Sequence, residues 1–297
     1  MATPKIGFIG LGSMGKPMVD CLVKAGYSVA VYDANAEAVT ALAADANVSA
    51  QATPAAVANE ASIIITMLPT SAIVEQVLTG SDGVLSGVKP GSIIVEMSSG
   101  APAMTRTLAQ AAEKQGVELV DAPVSGGVSR AKTGDLSIMF GGSSAALSTV
   151  EPVLKAMGSS VVRTGDVGTA HAMKALNNLV SAGGFLIGAE ALVMGKRFGL
   201  DPEMMVDVLN ASTGMNNSTQ KKFKQFVLSG KYNAGFGLEL MVKDLGIALG
   251  LDDNHTAEFS QLCLKISRAA SESLGKGADH TELARYVSQR CDVPLSS

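Results

Sequence analysis

Three glycines, at positions 10, 12 and 15, constrain this chain more than any other feature of it. They lie between a short apolar run, Lys5 to Ile9, and a helical pattern from Lys16 to Ala25 that Gly26 closes. A second apolar run, Tyr27 to Tyr32, follows and ends at Asp33. Strand, glycine turn, helix, strand and then an acid about 20 residues on is the context that lifts Gly10-Leu11-Gly12-Ser13-Met14-Gly15 above a chance match. Gly10 allows the tight turn, Gly12 lets backbone approach a pyrophosphate, and Gly15 lets helix and strand pack closely. The helix start offers N–H groups and positive dipole to phosphates. Asp33 would accept from adenosine ribose hydroxyls and repel a 2′-phosphate, and no Arg follows it at Ala34, Asn35 or Ala36. NAD is therefore favoured, with NADP possible. A flavin site, or a turn that is only structural, is the competing reading.

The alternation of helix and strand continues through the first half. Glu37 to Ala46 and Pro54 to Asn59 read as helices. Ala61 to Leu68 reads as a fully buried parallel strand by its β-branched run. Helix Ala72 to Leu78, strand Ser92 to Met97, helix Pro102 to Gln115 and strand Val117 to Val120 follow. Leu136 to Phe140 and Ser160 to Arg163 read as strands around helix Ala145 to Met157. Parallel sheets bind ligands at the C-terminal ends of their strands. That places Met67, Leu68, Pro69 and Ser99 beside the cofactor, although Ser98 and Ser99 could equally cap the helix ahead of Pro102. After Asp121-Ala122-Pro123, the segment Ser125-Gly126-Gly127 could turn backbone N–H groups into a small nest for a carboxylate, or be an ordinary turn.

From Gly168 onward no strand is evident. Helices are expected at 170–198, 202–211, 218–229, 238–252, 255–274 and 280–290. The fold class is an α/β dinucleotide-binding domain over 1–164 and an all-helical domain over 165–297, joined by the long helix. That helix is apolar on nearly every face, which predicts burial all round. Into its first turns are set His171, Lys174, Asn177 and Asn178. His171, Lys174 and Asn178 share one face. A lysine there needs an exit to water for its amine or a chemical task.

Composition removes several classes of function. At 297 residues, 47% hydrophobic and 17% charged, the chain is long enough for two packed cores and is not disordered. A net charge of −4 argues against a nucleic-acid binder. No uninterrupted apolar run reaches the ~18 residues of a membrane span. The start runs into a strand without a signal-peptide layout. The three cysteines, Cys21, Cys263 and Cys291, have neither disulfide nor metal spacing, so no metal is expected and a cytoplasmic location is the simplest. An uncovered apolar face on so hydrophobic a helical half suggests a homodimer or homotetramer.

GLGSMGKPM, DAPVSGGVSRAKTG, GTAHAMKALNN and KDLGIAL, in this order and spacing, resemble the β-hydroxyacid dehydrogenase family, which includes 3-hydroxyisobutyrate dehydrogenase and tartronate semialdehyde reductase. The resemblance spans almost the whole chain. It implies a Rossmann domain, an all-helical domain and an active site in the cleft between them. It implies that Lys174 is the catalytic lysine and that Asn178 binds substrate. Ser125, Gly126 and Gly127 would hold the substrate carboxylate, and Lys243 would lie near the nicotinamide and the substrate. Gly10, Leu11, Gly12, Ser13, Met14, Gly15, Asp33, Met67, Leu68, Pro69 and Ser99 would contact NAD. His171 stands where many members have Gln, so it is not made catalytic.

The activity implied is hydride transfer between NAD(P) and a small 3-hydroxy acid of hydroxyisobutyrate, glycerate or threonine/threonate type. An imine reductase or a non-catalytic NAD-binding oligomerisation module is the alternative, and Lys174 speaks against both. Val128, Ser129, Arg130, Thr213, Met215 and Phe236 are expected around the substrate side chain. Arg130 either takes a second anionic group or, more simply, is a solvated loop residue. Asp244 either pairs with Lys243 or lies on a solvated turn.

Overall fold

A computed structural model describes residues 4–254 and 256–296. Residue 255, where the sequence starts one of the helices, lies outside them. The contacts divide the chain into two compact units, one up to Lys174 and one from Ala175.

The first unit alternates strand and helix in the order β1 (Ile6–Ile9), α1 (Gly15–Lys24), β2 (Val29–Tyr32), α2 (Ala36–Leu42), β3 (Val48–Ala50), α3 (Pro54–Glu60), β4 (Ile63–Thr66), α4 (Ser71–Thr79), α5 (Val84–Gly87) and β5 (Ile93–Glu96). It continues through α6 (Pro102–Glu113), β6 (Glu118–Asp121), β7 (Val124–Ser125), α7 (Gly127–Thr133), β8 (Leu136–Gly141), α8 (Ser144–Met157) and β9 (Gly158–Gly165). The sheet order is β3-β2-β1-β4-β5-β6-β8-β7, with β9 on β8. Strands β1 to β6 pair in parallel, and β8 runs antiparallel to β6 and β7. Side chains of β1, β4 and β5 are buried along their whole length, as expected where helices cover both faces. The strand order reverses between β1 and β4, so a ligand crevice opens there, beyond their C-terminal ends. Thr53, Thr70 and Ser143 start α3, α4 and α8 by accepting a backbone N–H three residues on, each worth about 1 kcal/mol.

Four short elements escape the sequence pattern: β3, α5, β7 and α7. Helix α2 ends at Leu42, not at residue 46, because Asp45 accepts Asn47 N at 2.9 Å and turns the chain into β3. The Ser125–Gly127 segment is the tip of a hairpin rather than a plain turn. Val124 and Ser125 pair with Ile138 and Ser137, and α7 begins at Gly127.

Helix α9 (Thr169–Phe198) starts in the first unit and continues into the second. The second unit adds α10 (Pro202–Asn210), α11 (Asn217–Lys221), a π-helix (Phe223–Leu228), α12 (Leu238–Leu249), α13 (Glu258–Leu274) and α14 (Glu282–Arg290). Its core packs Phe185, Leu192, Val206, Phe223, Leu245 and Ala284. Phe185 stacks on Phe223 with ring centroids 5.1 Å apart. The single helix expected at 218–229 is broken at Lys222, whose backbone (φ −126, ψ −47) leaves the α-helical region. The π-helix that follows seats Phe223 against Gly188, where a Cβ would lie 2.6 Å from its ring.

Helix α9 is not buried all round. Met173, Val180, Ile187 and Met194 are 43, 76, 53 and 71% exposed, and they recur every seven residues. The α9 pattern packs one face and leaves an apolar stripe on the other. By length and composition alone this helix could reach across a bilayer, although 56% of its apolar window is buried within the protein.

Candidate active site

The glycine turn is built as its spacing requires. Gly10 sits at φ +101, and a Cβ there would lie 2.2 Å from Met67 O, so the segment after β4 closes directly onto the turn. A Cβ on Gly15 would lie 1.8 Å from Gly10 O. Gly12 differs: a Cβ there would meet nothing within 4 Å. Among the described residues nothing asks for glycine at position 12, so the open space above it is space for a ligand to approach backbone. Gly12 and Ser13 are exposed at the start of α1, while Leu11 and Gly15 are buried and Met14 half-buried. Asp33 accepts Leu11 N at 2.6 Å and Asn35 N at 2.7 Å, tying the end of β2 to the turn. This cradle fits a dinucleotide. Leu68 N donates to Ser98 Oγ at 2.8 Å, so the loops after β4 and β5 are joined. Ser98 therefore does not cap α6, whose N-cap is Ala101. Pro69 is exposed and Met67 and Ser99 are half-buried on the same strand ends.

At the hairpin tip, Gly126 and Gly127 take φ of +134 and +70 in succession, and Gly127 is exposed. The Arg130 stem lies across Gly126, where a Cβ would meet its Cδ at 2.8 Å. Its Nε donates to Asp135 at 3.0 Å in an exposed pair, so Arg130 already has a carboxylate partner. Ser129 is exposed and Val128 half-buried beside it.

Lys174 is 8% exposed on the second turn of α9, and Asn178 follows one turn later. Within the second unit, Asn178 Nδ2 donates to Asp244 Oδ2 at 2.6 Å. Asp244 is buried and lies 3.6 Å from Lys243 Nζ. The Lys243-Asp244 pair is thus no solvated turn: a buried carboxylate holds the Asn178 amide on one side and a cation on the other. Phe236 packs edge-on to His280, whereas Thr213 and Met215 are exposed. Lys222 Nζ donates to Ser181 Oγ at 3.1 Å on the face of α9 that carries Asn178, and burial lowers its pKa to about 8.

The sequence missed a buried polar cluster where β5 and β6 end. Glu96 and Asp121 are the last residues of these strands, and both are buried. Between them lies His171, whose side chain has no exposure. Its Nε2 is 2.9 Å from Glu96 Oε2 and 3.0 Å from Ser98 O. Its Nδ1 is 2.8 Å from Thr105 Oγ1 and 3.8 Å from Asp121 Oδ2. Thr105 Oγ1 also lies 3.1 Å from Ala101 O, and its hydroxyl can donate there or to Nδ1. Ser98 O can only accept from Nε2. Nε2, which faces two acceptors, therefore carries a proton. Burial alone pushes its pKa down, but the Glu96 carboxylate overcomes this and holds it above the ordinary value. Burial likewise pushes Glu96 up, and the His171 charge more than offsets it. For Asp121 burial wins, and its carboxyl is raised. The available signal was an acid closing an otherwise apolar buried strand, Ile-Ile-Val-Glu and Glu-Leu-Val-Asp.

The pair sets a pH dependence. A raised histidine stabilises the fold fully below the ordinary histidine range, near pH ~6.5, and this is lost as pH rises through its folded value. A lowered Glu96 contributes above the ordinary carboxylate range and loses that as pH falls through its folded value. Thermal melts should therefore show wild-type protein more stable near pH ~6 than near pH ~9, with a smaller alkaline drop in His171→Gln. Equal drops in the two proteins would contradict the charged pair.

Comparison with known proteins gives a consistent picture. Residues 5–165 match the model of the NAD-binding domain of 6-phosphogluconate dehydrogenase. Residues 168–287 match that of the NAD-binding domain of NADP-dependent 3-hydroxyisobutyrate dehydrogenase. The chain is 44% identical over 248 residues to 2-(hydroxymethyl)glutarate dehydrogenase of Eubacterium barkeri, covering 82% of this chain and 81% of that one. It is 40% identical over 265 residues to human mitochondrial 3-hydroxyisobutyrate dehydrogenase, covering 87% and 78%. The solved structure of Mycobacterium tuberculosis 3-hydroxyisobutyrate dehydrogenase with L-serine superposes with a TM-score of 0.88 at 29% identity, over 96% of this chain and 99% of that one.

Proposed function

The chain belongs to the β-hydroxyacid dehydrogenase family, and from that membership we propose how its residues carry the reaction. It is an oxidoreductase that moves a hydride between NAD(P) and a small 3-hydroxy acid, giving the semialdehyde or the 3-keto acid. Residues 1–164 hold the cofactor, and residues 165–297 contribute to substrate binding and assembly.

The observation that carries the reading is Lys174, nearly buried on α9 with Asn178 one turn on. The glycine turn and helix α1 bind the pyrophosphate, and Asp33 binds the adenosine ribose. Met67, Leu68, Pro69 and Ser99 line the cofactor's path, and the family resemblance gives Lys243 a role with the nicotinamide and the substrate. These residues would hold a nicotinamide cofactor, which would supply the acceptor or donor of the hydride. Backbone at Ser125, Gly126 and Gly127 orients the substrate carboxylate. Asn178, held by Asp244, orients the hydroxyl-bearing carbon. Lys174 takes the hydroxyl proton during oxidation and returns it to the forming alkoxide during reduction. The imine-reductase alternative is weaker, because Lys174 is present and the similar curated proteins act on hydroxy acids.

The seven-residue stripe on α9 supports a homodimer or homotetramer. A small-molecule substrate, without nucleic acid or membrane, and a cytoplasmic location complete the reading. Three free cysteines, two of them buried, suit a reducing compartment.

The test follows absorbance at 340 nm with NAD or NADP and a panel of 3-hydroxy acids, and with NADH and the matching aldehydes. Turnover that vanishes in Lys174→Ala supports the enzyme. Cofactor binding without turnover on any substrate would favour the non-catalytic module. The same assay reads cofactor choice. Asp33→Ser should lower the preference for NAD over NADP about 30-fold, since the carboxylate both binds the ribose and repels a 2′-phosphate. An unchanged preference would remove Asp33 from that role.

A further inference from the structure

We propose that His171 is a positioning residue for Lys174, fixing the first turns of α9 against the ends of β5 and β6. The inference rests on the reading of Lys174 as the catalytic lysine.

Two separate grips meet at this point. The first acts on the helix backbone. Asp121 accepts Gly168 N at 2.6 Å and His171 N at 2.8 Å. A helix start leaves N–H groups without intrahelical partners, and here the end of a neighbouring strand satisfies them. This fixes where the helix begins. The second grip is the His171 ring, bonded to Glu96 of β5, Thr105 of α6 and Ser98 O beyond β5. It fixes the rotation of the helix about its axis. Lys174 is three residues on, on the same face, so rotation and start together set the direction in which its side chain leaves the helix.

The enclosure is tight. A Cβ on Gly100 would lie 3.0 Å from His171 Cε1, and one on Gly141 would lie 2.4 Å from Asp121 Oδ1. The charged groups facing the ring are Glu96 and Asp121. Arg106 of α6 turns instead to Val167 O. A buried ion pair is a poor source of net stability compared with apolar packing, so the value of this ring lies in the single orientation that contacts on both its nitrogens define. The cluster also reaches the cofactor loops. Glu96 Oε1 accepts Ser98 N at 2.8 Å, and Ser98 Oγ accepts Leu68 N. The peg that orients the lysine helix is therefore bonded to the segment that lines the cofactor path. Misplacing a catalytic group by about 1 Å costs up to ~100-fold in rate, so a loosened peg shows in turnover.

The experiment compares His171→Leu, His171→Gln and Lys174→Ala with the double variant His171→Leu/Lys174→Ala. We expect His171→Leu to lower kcat about 30-fold with NADH affinity within about threefold. His171→Gln keeps a donor for Glu96 and should return kcat to within about threefold of wild type. In the Lys174→Ala background, His171→Leu should cost nothing further, because its effect passes through the lysine. Wild-type kcat in His171→Leu, with only the melting point lowered, would make the ring a structural peg and overturn the proposal. An equal loss with and without Lys174 would overturn it too. Should His171→Leu not fold, His171→Asn, whose shorter side chain reaches less far towards Glu96, takes its place with and without Lys174. A loss of kcat is then expected only where Lys174 is present, and an unchanged kcat or an equal loss in both backgrounds decides against the proposal. An active Lys174→Ala would be a failure of the underlying reading, visible without any His171 variant.

Discussion

Lys174→Ala should lower kcat about 10³-fold and leave NADH affinity within about twofold, because a positioned acid–base group is worth roughly 10²–10⁴ in rate. The side chain lies on α9, while the cofactor cradle is built from β1, α1, β2 and the loop after β4. Removing the amine leaves that cradle intact. It also removes a stem that is nearly buried, so part of any loss could come from packing. Lys174→Met separates the two effects by keeping the stem without the amine. Equal losses in Ala and Met assign the effect to the proton. A Met variant near wild-type turnover would assign it to packing and remove Lys174 from the chemistry.

Gly12→Ala and Gly15→Ala should fail in opposite ways. At Gly12 a Cβ meets nothing in the protein, so the melting point should stay within about a degree of wild type. The same methyl stands where the pyrophosphate approaches backbone, and cofactor affinity should fall about 100-fold. At Gly15 the Cβ would run into Gly10 O at 1.8 Å, a backbone atom that cannot rotate away. That overpacking should cost about 3 kcal/mol, a fall of about 10 °C in melting temperature. Thermal melts and NADH fluorescence titrations on both variants give the comparison. A destabilised Gly12→Ala that still bound NADH tightly would place the cofactor elsewhere.

The fold was legible where local chemistry and tertiary contact agree. The spacing of Gly10, Gly12 and Gly15 speaks directly, since Gly15 closes on Gly10 within the turn itself and the strand–turn–helix context is local. The lysine and asparagine of α9 were legible because polar residues on an apolar helix need a reason. What escaped was decided by distant partners. Strand β3 has three residues and exists because β2 offers it an edge. The hairpin tip at Ser125 depends on pairing with Ser137. Glu96 and Asp121 looked like ordinary strand ends. Only the fold brings His171, 75 and 50 residues further along the chain, between them. The break at Lys222 comes where Phe223 stacks on Phe185, a contact that no periodicity encodes.

The stripe of Met173, Val180, Ile187 and Met194 has a consequence beyond packing. Lys174 and Asn178 sit on the same helix, between the first residues of that stripe. Were a second copy of the chain to cover the stripe, assembly and the proposed chemistry would share one helix. The paired state would then be favoured by mass action, and the protein's own concentration would set how much of it is present. A substitution on the outer face of α9, touching neither substrate nor cofactor, can then change activity through the fraction of chains that are paired.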